Sequence, residues 1–117
     1  MSQLIGILDE IVGGAGMRFA CIVSGDGFLI ESSSSLEPGD ELASAAIGPV
    51  LEAAQAAGEA LDFGDPAQAM IQYEGGWVLV TQMTDDCLLV AVMHSEANLG
   101  WVRHAIREHQ GTITEAL

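Results

Sequence analysis

Residues 40–62 read Asp40-Glu-Leu-Ala-Ser-Ala-Ala-Ile-Gly-Pro-Val-Leu-Glu-Ala-Ala-Gln-Ala-Ala-Gly-Glu-Ala-Leu-Asp62, and the reading of this stretch decides the architecture. Its polar positions, Glu41, Ser44, Gly48, Glu52, Gln55, Glu59 and Asp62, recur at steps of three or four. At roughly 100° per residue they fall in one stripe about 80° wide, as on a helix with a narrow polar strip. A helix lying on a single sheet keeps a much broader polar face, so this one has apolar surface to spare. Ile47, Val50, Leu51 and Leu61, with Ala43 and Ala54, form a bulky sector suited to a domain core. Leu42, Ala46, Pro49, Ala53, Ala56 and Ala60 form a second seam of mostly small residues at alternating steps of four and three. Small side chains let two helices approach closely, and that alternation is what a helix–helix seam uses. No other segment is long enough to cover the seam without leaving its own core, so a second copy of the chain is the economical partner. Pro49 inside a helix costs about 3 kcal/mol through a lost hydrogen bond and a clash with the preceding turn. Because the stripe stays in phase across Gly48-Pro49, the reading favours one kinked helix, with two short helices as the alternative.

A chain of 117 residues is one domain with room for a single core. Half its residues are apolar, which excludes disorder despite a formal charge of −14. The only cations are Arg18, Arg103 and Arg107, and there is no lysine. So acidic a surface repels nucleic acid and anionic lipid, and speeds encounter with a basic patch on another protein. The start Met-Ser-Gln lacks a signal-peptide pattern, and no apolar run approaches the roughly 20 residues of a membrane helix. Cys21 and Cys87 fall inside strand-like runs without metal-ligand spacing and read as reduced core thiols of a cytoplasmic protein.

Outward from the long helix, the chain alternates cleanly. Ser2 is placed to cap a first helix whose Leu4, Ile5, Leu8, Ile11 and Val12 share a face, with Gly13-Gly14 ending it. Phe19-Ala-Cys-Ile-Val23 is apolar on both faces, a central strand, and Ser24-Gly-Asp-Gly27 turns it into Phe28-Leu-Ile30. Ser32 to Ser35 is a connection. After the long helix, Gln68-Ala-Met-Ile-Gln-Tyr73 alternates in type as a half-covered edge strand does, with Gln68, Met70 and Gln72 on one face. Trp77 to Met83 and Cys87 to Met93 are two further strands. Ser95 is placed to cap a last helix packing through Leu99, Val102 and Ile106 and stopping near Gly111. The order is α-β-β-α-β-β-β-α, an α+β domain over 1–111 with a loose tail at 112–117.

Several of these motifs, in this order, resemble the Roadblock/dynein light chain family. They are the Ser24-Gly-Asp-Gly27 turn, the Ala-rich second helix with its Leu61-Asp-Phe-Gly64 loop, the Gly75-Gly76 hairpin, and the closing Ala97-Asn-Leu-Gly100 with Val102-Arg103. The likeness covers about residues 2–110. It implies a profilin-like sandwich: a five-stranded antiparallel sheet, the first and last helices on one face and the second on the other. It also implies dimerisation into a continuous sheet through the third strands, with the second helices packed together. Bacterial single-domain members, the mutual gliding motility B type, bind small Ras-like GTPases and can act as their activating proteins. Pro49 departs from the smoother second helix of that pattern.

No catalytic, cofactor or metal constellation emerges. Without lysine there is no phosphate-binding loop, and Gly13-Gly-Ala-Gly16 follows a helix rather than a strand. No Gly-x-Ser-x-Gly elbow occurs, and His94, His104 and His109 lack zinc spacing. Asp26, Asp85 and Asp86 read as turn residues. Arg103 and Arg107 read as cations favouring the helix dipole and neutralising Glu96 or Glu108 rather than as an arginine finger. Trp77 and Trp101 read as packing residues. The functional expectation is a non-catalytic homodimer regulating a small Ras-like GTPase, without cofactor, nucleic acid or membrane insertion. The dimer interface is placed at Leu42, Ala46, Pro49, Ala53, Ala56, Ala60, Met70 and Gln72, and the partner-facing stripe at Glu41, Ser44, Glu52, Gln55 and Glu59. The alternatives are a structural adaptor dimer and a small-ligand sensor; a heterodimer with a paralogous chain stays open.

Overall fold

Strand and helix boundaries in the computed structural model, which describes residues 3–14 and 16–117, follow the periodicities closely. The elements are α1 (Gln3–Val12), β1 (Met17–Ser24), β2 (Leu29–Ser32), α2 (Asp40–Ala46), α3 (Gly48–Leu61), β3 (Gln68–Tyr73), β4 (Gly76–Gln82), β5 (Cys87–His94) and α4 (Leu99–Ala116). The expected order holds once α2 and α3 are taken as halves of the long helix. All five strands join one antiparallel sheet in the order β2-β1-β5-β4-β3. The apolar runs fill its middle, with Cys21 opposite Val90 and Leu79 opposite Ala91. The alternating run, β3, lies at one edge.

Side chains that alternate along each strand feed two cores, as the pleat requires. On one face α1 and α4 pack Leu8, Ile11, Val102 and Ile106 against Ala20, Ile22, Leu79 and Ala91. On the other, Leu51 of α3 packs with Phe19, Cys21, Val23, Val80 and Val90. Gly14 allows α4 to close over the first face, since a Cβ there would stand 2.0 Å from the Trp101 ring. Asp9 of α1 fixes the serine connection by accepting from both the amide and the hydroxyl of Ser34, each at 2.7 Å.

Three local expectations are corrected. The long helix splits rather than kinks. Ile47, at φ −82°, closes α2 by donating to the Ser44 carbonyl and opens α3 by accepting from the Val50 amide. Pro49 thereby sits in the first turn of α3, where a missing N–H costs nothing. The last helix is capped by Asn98, not Ser95: its Oδ1 accepts from the Trp101 amide at 3.0 Å, while Ser95 donates to Glu96. That helix also runs through Gly111 to Ala116, because a fully buried Ile113 holds its final turns to the core, so 112–116 is no loose tail. The proposed cap at Ser2 lies outside the described residues.

Candidate interaction surface

Over its fourteen residues α3 has one fully buried side chain, Leu51, with Ile47 packed half-buried beside it. Ala54 and Gly58 complete the inward row at helical spacing. Opposite that row, every member of the small-residue seam is exposed: Pro49, Ala53, Ala56 and Ala60 on α3, and Leu42 and Ala46 on α2. Leu42 is 78 % exposed. α2 is inverted relative to an ordinary surface helix, since its buried residues are Asp40 and Ser44. Leu61, expected in the core, is 59 % exposed as the last residue of α3.

The edge strand continues this surface. β3 pairs with β4 along its whole length, Gln68 opposite Thr81 through Tyr73 opposite Gly76, and among the described residues its other edge carries no strand. Met70, Gln72 and Tyr73 are exposed on it. Such an edge is a template for further pairing unless it is short, bulged or charged. β3 is six residues long, in unbroken register, and uncharged.

Of the polar stripe, Glu41, Glu52, Gln55 and Glu59 are exposed along one flank. Ser44 is not among them. It stands two turns before Leu51 and therefore faces inward, 2 % exposed, with its hydroxyl donating to the Asp40 carbonyl at 2.9 Å. Gln55 donates to Asp65 at 3.4 Å. Glu52 and Gln55 line a cleft of about 400 Å³ with Asp65, Asp85 and Asp86.

An Arg18–Asp40 ion pair at 2.8 Å pins α2 to β1, the carboxylate nearly buried and the guanidinium half exposed. The second Asp40 oxygen accepts from the Glu37 amide at 2.9 Å. This pair escaped the sequence reading because its members are 22 residues apart and only the fold brings them together. It borders a cavity of about 550 Å³ between α2 and the β3–β4 hairpin. Arg103, instead of meeting Glu96 or Glu108, reaches back to the edge strand and donates from Nε to Gln68 at 3.1 Å. His109 lies 3.4 Å from Glu10, tying α4 to α1. Burial pushes the Cys21 thiol above its ordinary value despite the nearby Ser44 hydroxyl. A backbone amide and the Ser95 hydroxyl hold Glu96 below its own.

Among the described residues, no group of three or more His, Cys, Asp or Glu is arranged to hold a metal ion. No helix among them is long and apolar enough to cross a membrane. The arrangement offers exposed apolar helix, open sheet edge and acidic flank, which suit association.

Comparisons with known proteins find the same fold. A Roadblock/LC7 domain from Streptomyces avermitilis superposes with a TM-score of 0.88 at 17 % identity, over 97 % of each chain. MglB of Myxococcus xanthus gives 0.86 at 15 % identity, over 98 % of this chain and 94 % of that one. An MglB in a tetrameric arrangement gives 0.84 at 21 % identity, over 97 % and 89 %. The profilin-like architecture is seen in a more distant match, profilin II of Acanthamoeba castellanii, at 0.66 and 14 % identity over 97 % and 96 %. No curated protein sequence matches at a significant level. The family model for the Roadblock/LC7 domain matches residues 6–93, about three quarters of the sequence, and the chain belongs to that family.

Proposed function

We propose that the chain is a non-catalytic homodimer that binds and regulates a small Ras-like GTPase as an activating protein or co-regulator. The observation that carries the dimer is the exposed small-residue seam of α2 and α3 beside the open, uncharged edge of β3. Pairing two β3 edges satisfies their free backbone groups, and the same association lets the alanine faces meet. Family membership and the MglB-like fold support the regulatory role. Two such flanks form a platform on which Glu41, Glu52, Gln55 and Glu59 meet a basic or polar switch-region surface. We place the protein in the cytoplasm, a reading supported by the two unpaired thiols.

The test mixes purified protein with small Ras-like GTPases from the same genome, beginning with any encoded next to it, and follows co-elution and GTP hydrolysis. Co-elution with altered hydrolysis is the expected result. Co-elution with unchanged hydrolysis supports the adaptor alternative, and neither effect removes the GTPase reading.

A further inference from the structure

Phe63 is 79 % exposed in the turn between α3 and β3. Backbone geometry sets this turn. Asp62 adopts a left-handed conformation at φ 61°, and the Phe63 amide donates to the Gly58 carbonyl at 2.8 Å. Gly64 packs so closely that a Cβ on Gly58 would lie 2.3 Å from its carbonyl oxygen. A tightly built turn thus presents a bare aromatic ring, which leaves water at little conformational cost when a partner covers it.

The 550 Å³ cavity supplies a matching receptor. Phe19, Val78 and Val90 line it, with Ala43 and Ile47 on the helix side and Tyr73 at the end of β3. Ring and cavity stand at opposite ends of β3: Phe63 precedes its first residue, Gln68, and Tyr73 is its last. A twofold axis that makes two β3 strands antiparallel neighbours lays the start of each against the end of the other. The turn of one copy then meets the cavity mouth of its twin. The charged border of the cavity is already balanced, because Arg18 pairs there with Asp40, so the seat is defined by the ring, the apolar lining and the strand geometry.

We propose that Phe63 of each copy seats in the cavity of its twin, making the cavity a site that only the dimer fills. This rests on the dimer reading above. Phe63 contributes nothing to the monomer core, so Phe63→Ala leaves the circular dichroism spectrum and monomer stability unchanged. It raises the dimer dissociation constant roughly 10- to 100-fold, as truncating a buried aromatic anchor does. Ala43→Trp, which fills the cavity from its own wall, weakens the dimer likewise.

Analytical ultracentrifugation of the full chain reads both effects. A monomeric wild-type protein at high concentration overturns the dimer reading itself. A wild-type dimer whose dissociation constant is unmoved by Phe63→Ala overturns this proposal alone. A loss caused by Phe63→Ala but not by Ala43→Trp overturns the cavity as its seat. The probe anilinonaphthalene sulfonate binding the wild-type dimer as strongly as the Phe63→Ala variant shows an unfilled cavity and has the same consequence.

Discussion

Leu51→Ala removes the one fully buried side chain by which α3 is fastened to the sheet. Leu51 is 5 % exposed, so nearly all of its side chain counts as transferred from water. Losing about three carbon atoms at about 0.8 kcal/mol each gives about 2.4 kcal/mol, and an incompletely collapsed hole adds to it. α3 has no second fully buried anchor and can settle toward the sheet, so the total falls near the low end of such substitutions, about 2.5–3.5 kcal/mol. That is a large share of the roughly 6–17 kcal/mol expected at this chain length. Urea denaturation followed by circular dichroism, at the lowest workable concentration so that association adds nothing, measures it. The matched controls are Leu42→Ala and Leu61→Ala, at 78 % and 59 % exposure, which shift monomer stability by no more than about 0.5 kcal/mol. A cost for Leu51→Ala below about 1 kcal/mol, or one for Leu61→Ala as large, would show that α3 faces the sheet by another side and refute the argument.

Ala56→Glu places a carboxylate on the exposed seam and is expected to give a folded monomer by light scattering, since a buried unpaired charge in an apolar interface is costly. Gly76→Ala drives a Cβ to 2.1 Å from the Met93 carbonyl oxygen, backbone against backbone, and should lower the unfolding temperature by about 10 °C or more, for a cost of about 2–3 kcal/mol. Because the Cys21 thiol is raised by burial in the folded state, the stability it contributes is complete below the ordinary thiol value and drains away as pH rises past about 8.5, where only the unfolded thiolate forms. Denaturation curves through that range should lose their downward slope in Cys21→Val, and thiol reagents should reach half-buried Cys87 well before Cys21.

Much of the fold was legible because apolar spacing carried it. Phe19 to Val23 reads as central since both its faces are apolar, and β3 reads as an edge since its residues alternate. The small-residue seam was legible for the same reason, and each of its members is exposed. Sorting by residue type failed where direction mattered. Ser44 was grouped with the polar stripe, yet it shares Leu51's heading two turns away. Leu61 reads by type as a core residue, yet as the last residue of α3 it is left exposed. Helix ends misled because Ser95 and Asn98 are comparable caps, and because the pull of Ile113 outweighs Gly111 as a stop. Nothing local announces the Arg18–Asp40 pair or the cavity beside it. The bare Phe63, an aromatic in a turn, was visible in the sequence without a role.

The sheet order also governs how the chain acquires its shape during synthesis. β1, at residues 17–24, finds its central neighbour only in β5, at residues 87–94. On a ribosome α1, the four-residue β2 and then α3 are available to it early, but one edge of its apolar run stays unpaired until most of the polypeptide has been made. That interval exposes the nascent chain to chaperones and to aggregation, and slowing translation before codon 87 should lengthen it.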